Sequence, residues 1–94
     1  MAGYRNEVDY NARLRSPQAR DVMIQMAKTA EEQGRDFVPQ SWARDARFHQ
    51  RPVPAQLIRD LVRAGFIRSK FTNGPIYQIV LWPKPEEDVK SDGE

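Results

Sequence analysis

Apolar residues recur along this chain with two different periods. Between Ser16 and Gly34 they return every three or four positions, which is the spacing of one face of an α-helix. Serine as the N-cap and Pro17 at the first helical position favour a start there, and the glycine favours an end. The apolar positions are Ala19, Val22, Met23, Met26, Ala27 and Ala30. The pattern predicts a first helix that packs along one face.

Two further helices are expected downstream. Phe37-Val38 is long enough for a short strand, which Pro39 ends. From Gln40 or Ser41 to Arg47 the chain fits a helix of two turns, and the period is lost over residues 48–52. A third helix opens at Val53-Pro54 and ends at Gly65. Its inner stripe consists of Leu57, Ile58, Leu61 and Val62.

The period then changes to two, which is typical of strands. Residues 66–71 alternate, residues 76–82 are rich in β-branched and aromatic side chains, and turn residues separate the two stretches. Asn73-Gly74 tolerates the positive φ angles of a tight turn, and Pro75 suits the mouth of a hairpin. The sequence predicts a β-hairpin.

The remaining segments lack such patterns. Residues 1–15 show no sustained period and are expected to form an irregular N-terminal arm, whereas residues 84–94 are expected to be a disordered acidic tail. One domain is therefore predicted, over residues 16–83. A chain of 94 residues with 39% hydrophobic residues can bury one modest core, which argues against a deep substrate cavity.

The order helix, short strand, short helix, helix, hairpin resembles the winged helix-turn-helix family over residues 16–82. Residues 40–45 resemble the family's second helix, and residues 61–67 resemble the exit from its recognition helix into the wing. Unlike the tight prokaryotic motif, the turn between the second and third helices lacks glycine, and Pro52 and Pro54 bracket the start of the third helix. The resemblance implies an α+β fold that is mainly α, with three helices and a C-terminal hairpin wing.

Charge is unevenly distributed along the chain. Residues 44–70 contain seven cationic and two acidic residues, and eleven of the fifteen cationic residues in the chain are arginine. Arginine suits bidentate contact with phosphate or guanine. Together with the resemblance, this implies a protein that binds double-stranded DNA, as a small transcriptional regulator or a phage or plasmid accessory protein.

The candidate DNA-binding residues follow from the predicted faces. At about 100° per residue, the residues opposite the inner stripe of the third helix are Gln56, Arg59, Asp60 and Arg63. Of these, Gln56, Arg59 and Arg63 can meet base edges or phosphates. Arg68 and Lys70 leave one face of the hairpin toward flanking phosphates. The complete set is Arg44, Arg47, Arg51, Gln56, Arg59, Arg63, Arg68 and Lys70.

Other interpretations remain open. Each arginine can be an ordinary solvated residue, and a winged-helix domain can instead be a protein-interaction module or small inhibitor that presents a basic face to an acidic partner. The aromatic residues Phe37, Trp42, Phe66, Phe71 and Tyr77 are expected to face the core rather than stack on bases. A homodimer is a further alternative, whose contact can come from an exposed Trp82, from the first helix or from the N-terminal arm.

Catalysis is not predicted. His49 is the only histidine and cysteine is absent, so no metal site and no cofactor are expected. Ser41, His49 and Asp45 offer the residue types of a hydrolytic triad without any sign of an activated nucleophile. No stretch approaches the length of a membrane span and no signal peptide is recognisable, so the predicted location is cytoplasmic, and nucleoid-associated if the protein binds DNA.

Overall fold

The computed structural model describes residues 6–45 and 51–84, which form a small α+β structure. In this part of the chain three α-helices and one 3₁₀ helix accompany five strands, which pair into two sheets. In chain order the elements are β1 (Asn6–Val8), α1 (Tyr10–Arg13), α2 (Pro17–Glu32), β2 (Phe37–Pro39), the 3₁₀ helix (Gln40–Arg44), α3 (Ala55–Arg63), β3 (Ile67–Phe71), β4 (Pro75–Ile79) and β5 (Leu81–Pro83).

The long helix α2 has the predicted ends. The Ser16 side chain accepts a hydrogen bond from the backbone N–H of Ala19 at 3.2 Å. At the other end Gly34 is left-handed, with φ of 68°, and the N–H of Arg35 donates to the carbonyl of Ala30 at 2.9 Å. This pattern is a Schellman motif, which satisfies carbonyls that the helix itself leaves without donors.

Helix α3 ends in the same way. Gly65 has φ of 88°, its N–H donates to the carbonyl of Val62, and the N–H of Phe66 donates to the carbonyl of Leu61 at 3.0 Å. The glycine is needed because a left-handed backbone is unfavourable for a residue with a Cβ atom. The predicted end of the third helix is confirmed, and the chain passes directly into β3.

The predicted hairpin is confirmed for β3 and β4, but the second predicted stretch, residues 76–82, is divided between β4 and β5, which belong to different sheets. Strand β2 is the third strand of the hairpin sheet. The three strands form an antiparallel sheet in the order β2-β4-β3, in which Val38 lies opposite Tyr77, and Tyr77 lies opposite Ser69. The turn places Asn73 and Gly74 at positive φ. The inward face of this sheet packs on α2, and the side chains of Met23, Met26, Val38, Trp42 and Ile67 are completely buried.

The N-terminal segment is not the irregular arm that was expected. Strand β1 pairs in parallel with β5, which places Glu7 beside Trp82. Tyr10 is buried, and its hydroxyl donates a hydrogen bond to the carbonyl of Leu81 at 2.8 Å. Its ring meets that of Phe66 edge-on, with the centroids 5.7 Å apart. The segment is ordered because its few apolar residues are covered by the core.

The second predicted helix is also different from expectation. Residues Gln40–Arg44 form a 3₁₀ helix, where a helix of two turns to Arg47 was predicted, and residues 46–47 of that prediction lie outside the described residues. No side chain caps its start, and its end is fixed by the N–H of Asp45, which donates to the carbonyl of Trp42. Trp42 and Ala43 are buried as predicted. The carbonyl of Ala43 accepts from the N–H of Val53 at 2.7 Å, which ties this turn to the start of α3.

Predictions about burial are wrong for Trp82, for Phe71 and for part of the inner stripe of α3. Trp82 is only 4% exposed and belongs to the core, so it offers no exposed surface to a dimer. Phe71, expected to be buried, is 78% exposed. On α3, Ile58 and Leu61 are buried, but Leu57 is half-buried and Val62 is exposed, so the inner stripe is narrower than predicted. Of the predicted acidic tail, residues 84–94, only Lys84 is described, and its N–H donates to the carbonyl of Val8 at 3.2 Å. Residues 85–94 lie outside the described residues, as do residues 1–5 of the predicted arm.

Candidate nucleic-acid interface

The outer face of α3 carries three polar side chains that point away from the core. Gln56, Arg59 and Arg63 are all exposed, whereas Ile58 and Leu61 on the opposite side are buried. The helical repeat of about 100° per residue brings the three onto one side because they are separated by three and four positions. The structure thus brings together the three residues that were predicted to share this face.

The side chains of Gln56, Arg59 and Arg63 are also uncommitted. No hydrogen bond or ion pair joins any of them to another residue in the described ranges 6–45 and 51–84. Asp60 is exposed nearby on the same helix and is the one acidic residue of α3. A guanidinium without an internal partner keeps all five N–H donors available, so this face is equipped to bind an anion or a base edge.

Strand β3 carries the two predicted hairpin cations. Arg68 and Lys70 are exposed and lie beside Gln78 and Ile76 of β4 in the sheet register. Alternation along the strand puts both on the face opposite the core residue Ile67. The 24 residues from Leu61 to Lys84 contain four cationic residues and no acidic residue, so the hairpin has a uniformly positive charge.

One further cation lies on this outer sheet face and was not predicted. Phe37 stands in the same row as Gln78 and Arg68, and the guanidinium of Arg35 lies over its ring, 5.0 Å from the centroid. Phe37 was expected in the core, but it is only partly buried and points to the opposite face from Val38. The alternation of β2 was the available signal, since two adjacent residues of a strand cannot both face the core of a two-layer structure.

The other predicted site residues are less informative. Arg44, at the end of the 3₁₀ helix, and Arg51 are exposed. Arg47 and His49 lie outside the described residues. Of the residues considered for hydrolysis, Ser41 is exposed and Asp45 is half-buried. The described residues contain no group of three or more histidine, aspartate or glutamate residues that could hold a metal ion.

Among the described residues only Tyr10 has a clearly shifted pKa, and its side chain is part of the core. Burial raises the pKa of Tyr10 above the ordinary value of 10.0, because the ionised phenolate would lose its hydration in the core. The phenol therefore stays protonated as a hydrogen-bond donor. Among the described residues no helix is long and apolar enough to cross a membrane. Comparison of the chain with protein-family models, with curated proteins and with solved structures finds no match.

Proposed function

We propose that this protein binds double-stranded DNA through a winged helix-turn-helix, with α3 in the major groove and the β3–β4 hairpin on the backbone. The observation that carries the proposal is the outer face of α3, where Gln56, Arg59 and Arg63 are exposed and have no partner among the described residues. A small transcriptional regulator, or an accessory protein of a phage or plasmid, would use such a face.

Two features of the fold support this proposal. Strand β2, which comes directly before the 3₁₀ helix, pairs with the second strand of the hairpin, so the hairpin is anchored to the helical part. Helix α3 is held on its inner side by Ile58 and Leu61, both in the core cluster. A helix anchored in this way can lie in a major groove about 12 Å wide without unfolding any contact.

The side chains of α3 and those of the hairpin are suited to different parts of the DNA. Arg59 and Arg63 can form paired hydrogen bonds with guanine O6 and N7, and Gln56 can do so with adenine. Arg68 and Lys70 are better suited to phosphates, because a hairpin carrying positive charge and no acid is attracted to the backbone whatever its sequence. On this basis α3 supplies specificity and the hairpin supplies affinity.

The first experiment is a gel mobility shift with a random duplex and the full chain at two salt concentrations. Binding is expected with micromolar protein at ~50 mM salt and should weaken steeply by ~200 mM, because each neutralised phosphate adds about 0.9 to the logarithmic salt slope. Absence of any shift at the lower salt concentration would contradict the proposal, since even non-specific binding should be visible there.

The second experiment uses the double variant Arg59→Ala with Arg63→Ala. If both arginines contact phosphates, the salt slope should fall by about 1.8, whereas contacts to bases would lower affinity for a selected site and leave the slope nearly unchanged. The matched control is Arg15→Ala with Lys28→Ala, which removes two exposed cations from outside α3 and the hairpin. Equal affinity of the two double variants would eliminate α3 as the contact element.

A second candidate function is a protein-interaction module that presents the same basic face to an acidic partner. The observation in its favour is the 3₁₀ helix Gln40–Arg44, which is shorter than the helix that usually lies across the DNA backbone. Binding of an acidic polypeptide such as polyglutamate at a salt concentration where no duplex shift occurs would select this alternative.

A further inference from the structure

The hairpin ends in an exposed aromatic ring. Phe71 is the last residue of β3 and is 78% exposed, whereas every other phenylalanine, tyrosine or tryptophan in the described ranges is buried or half-buried. It lies opposite Pro75 at the last pair of the hairpin, immediately before the turn. A large apolar side chain is therefore held next to the turn of a hairpin that carries cationic residues and no acidic residue.

The tip that carries Phe71 has a defined conformation. The N–H of Thr72 donates to the carbonyl of Gly74 at 2.9 Å, and Asn73 and Gly74 take the positive φ angles of 56° and 122° that close the turn. Five consecutive residue pairs between β3 and β4 connect Phe71 to the core residue Ile67. Because the backbone is fixed in advance, inserting the ring into a partner would order few additional groups.

The surroundings of Phe71 favour a nucleic acid over a protein as the partner. Its only counterpart among large exposed hydrophobic residues of the described structure is Val62, on α3. One ring among Lys70, Thr72 and Asn73 provides little of the roughly 800 Å² of surface that each partner buries in a standard protein interface. The absence of acidic residues from Leu61 to Lys84 instead complements a polyanion.

We infer that Phe71 is an apolar wedge that enters the minor groove of duplex DNA beside the segment contacted by α3 and partly unstacks one base step. This inference rests on the proposed function and adds deformation of the DNA to it. Proteins that enter the minor groove insert phenylalanine, leucine or proline in this way and bend the duplex toward the major groove. Arg68 and Lys70, which leave the other face of the same strand, would contact phosphates of the flanking backbone.

The test uses a duplex selected for binding and labelled with 2-aminopurine at successive positions, whose fluorescence rises when a base is unstacked. The wild-type chain should raise the signal at one step, and Phe71→Ala should remove that rise and weaken binding about tenfold. Phe71→Leu should retain most of both effects, because leucine also acts as a wedge. Val62→Ala is the control for loss of an exposed apolar side chain elsewhere, and it should behave as the wild type.

The other outcomes separate the wedge from the proposed function. Wild-type binding with no local rise in fluorescence, or a Phe71→Ala variant with unchanged affinity and signal, would overturn the wedge while leaving DNA binding intact. Stronger binding to single-stranded oligothymidylate that Phe71→Ala abolishes would show a stacking platform instead, and a smaller particle mass of Phe71→Ala in light scattering would show a contact between copies. No duplex shift for the wild type would overturn both proposals together.

Discussion

Tyr10 offers a direct test of how the N-terminal segment is attached. Its side chain is 5% exposed, its hydroxyl donates to the carbonyl of Leu81, and these two residues are 71 positions apart in the chain. The substitution Tyr10→Phe removes that hydrogen bond and keeps the ring that meets Phe66. The change in the free energy of unfolding therefore measures mainly the contribution of the hydrogen bond between Tyr10 in α1 and Leu81 in β5.

The expected magnitude follows from the geometry. A hydrogen bond of 2.8 Å in a covered position contributes about 1 kcal/mol net, and the cost rises toward about 3 kcal/mol if the carbonyl of Leu81 finds no other donor. For a domain of this size a loss of 1 kcal/mol lowers Tm by roughly 4–8 °C. Tyr10→Ala, which also removes the ring, should cost about 3–5 kcal/mol.

The assay is urea and thermal unfolding followed by circular dichroism. The matched control is Tyr77→Phe, because the Tyr77 ring is half-buried and its hydroxyl bonds to no described residue. The control should change stability by less than about 0.5 kcal/mol, as expected for a site without a special contact. Equal stability of the Tyr10→Phe and Tyr77→Phe variants would refute the conclusion that this bond anchors the segment.

Three further outcomes are expected. Because burial raises the pKa of Tyr10, its stabilising effect should be fully present below pH 10 and be lost as the pH rises above 10; this alkaline loss should be absent in the Tyr10→Phe variant when unfolding is followed against pH. Leu61→Ala should cost about 2–5 kcal/mol in urea unfolding, since Leu61 is 1% exposed, and Val62→Ala, one residue further on and 36% exposed, should cost clearly less; similar losses would contradict the orientation of α3. Gly65→Ala should lower the free energy of unfolding by about 1–2 kcal/mol, because the backbone there is left-handed while nothing obstructs a Cβ atom, and Gly65→Asn should cost less; a neutral Gly65→Ala would exclude backbone strain as the reason for glycine.

The elements that could be predicted from the sequence are those whose signals are local. The ends of α2 depend on Ser16 and Gly34, and the end of α3 depends on Gly65, each of which acts on atoms within a few residues of itself. The hairpin turn at Asn73-Gly74 is equally local. Such signals can be read from a single sequence because no distant partner is needed to produce them.

The pairing of β1 with β5 could not be predicted in this way. Both strands have three residues, which is too short to show an alternation, and they are parallel, so no turn connects them. The two strands are held together by Tyr10, which contacts Phe66 and Leu81, and both of these residues are distant from it in the chain. A contact of this kind is a property of the assembled core, not of the segment that makes it.

Trp82 is buried where exposure was predicted, and the hydrogen bonds of the preceding residues explain why. The N–H groups of Val80 and Leu81 both donate to the carbonyl of Phe66, at 2.9 and 3.2 Å, so two residues stand where regular pairing has one. Such a bulge shifts the alternation by one position and turns Trp82 inward. Phe71 lies on the same face of β3 as the buried Ile67, as predicted. It is exposed because it is four residues further along the strand, past the edge of the core.

The part of the candidate site on α3 could be predicted from the sequence alone. Helix α3 buries Ile58 and Leu61 and exposes Arg59 and Arg63, so one amphipathic pattern fixes both the core face and the available face. The two faces should therefore be independent in experiment: the double arginine variant should change DNA affinity without changing the free energy of unfolding, and Leu61→Ala should do the reverse at temperatures where it stays folded. If the arginine variant lost both properties, those side chains would be part of the fold rather than a surface kept free for a partner.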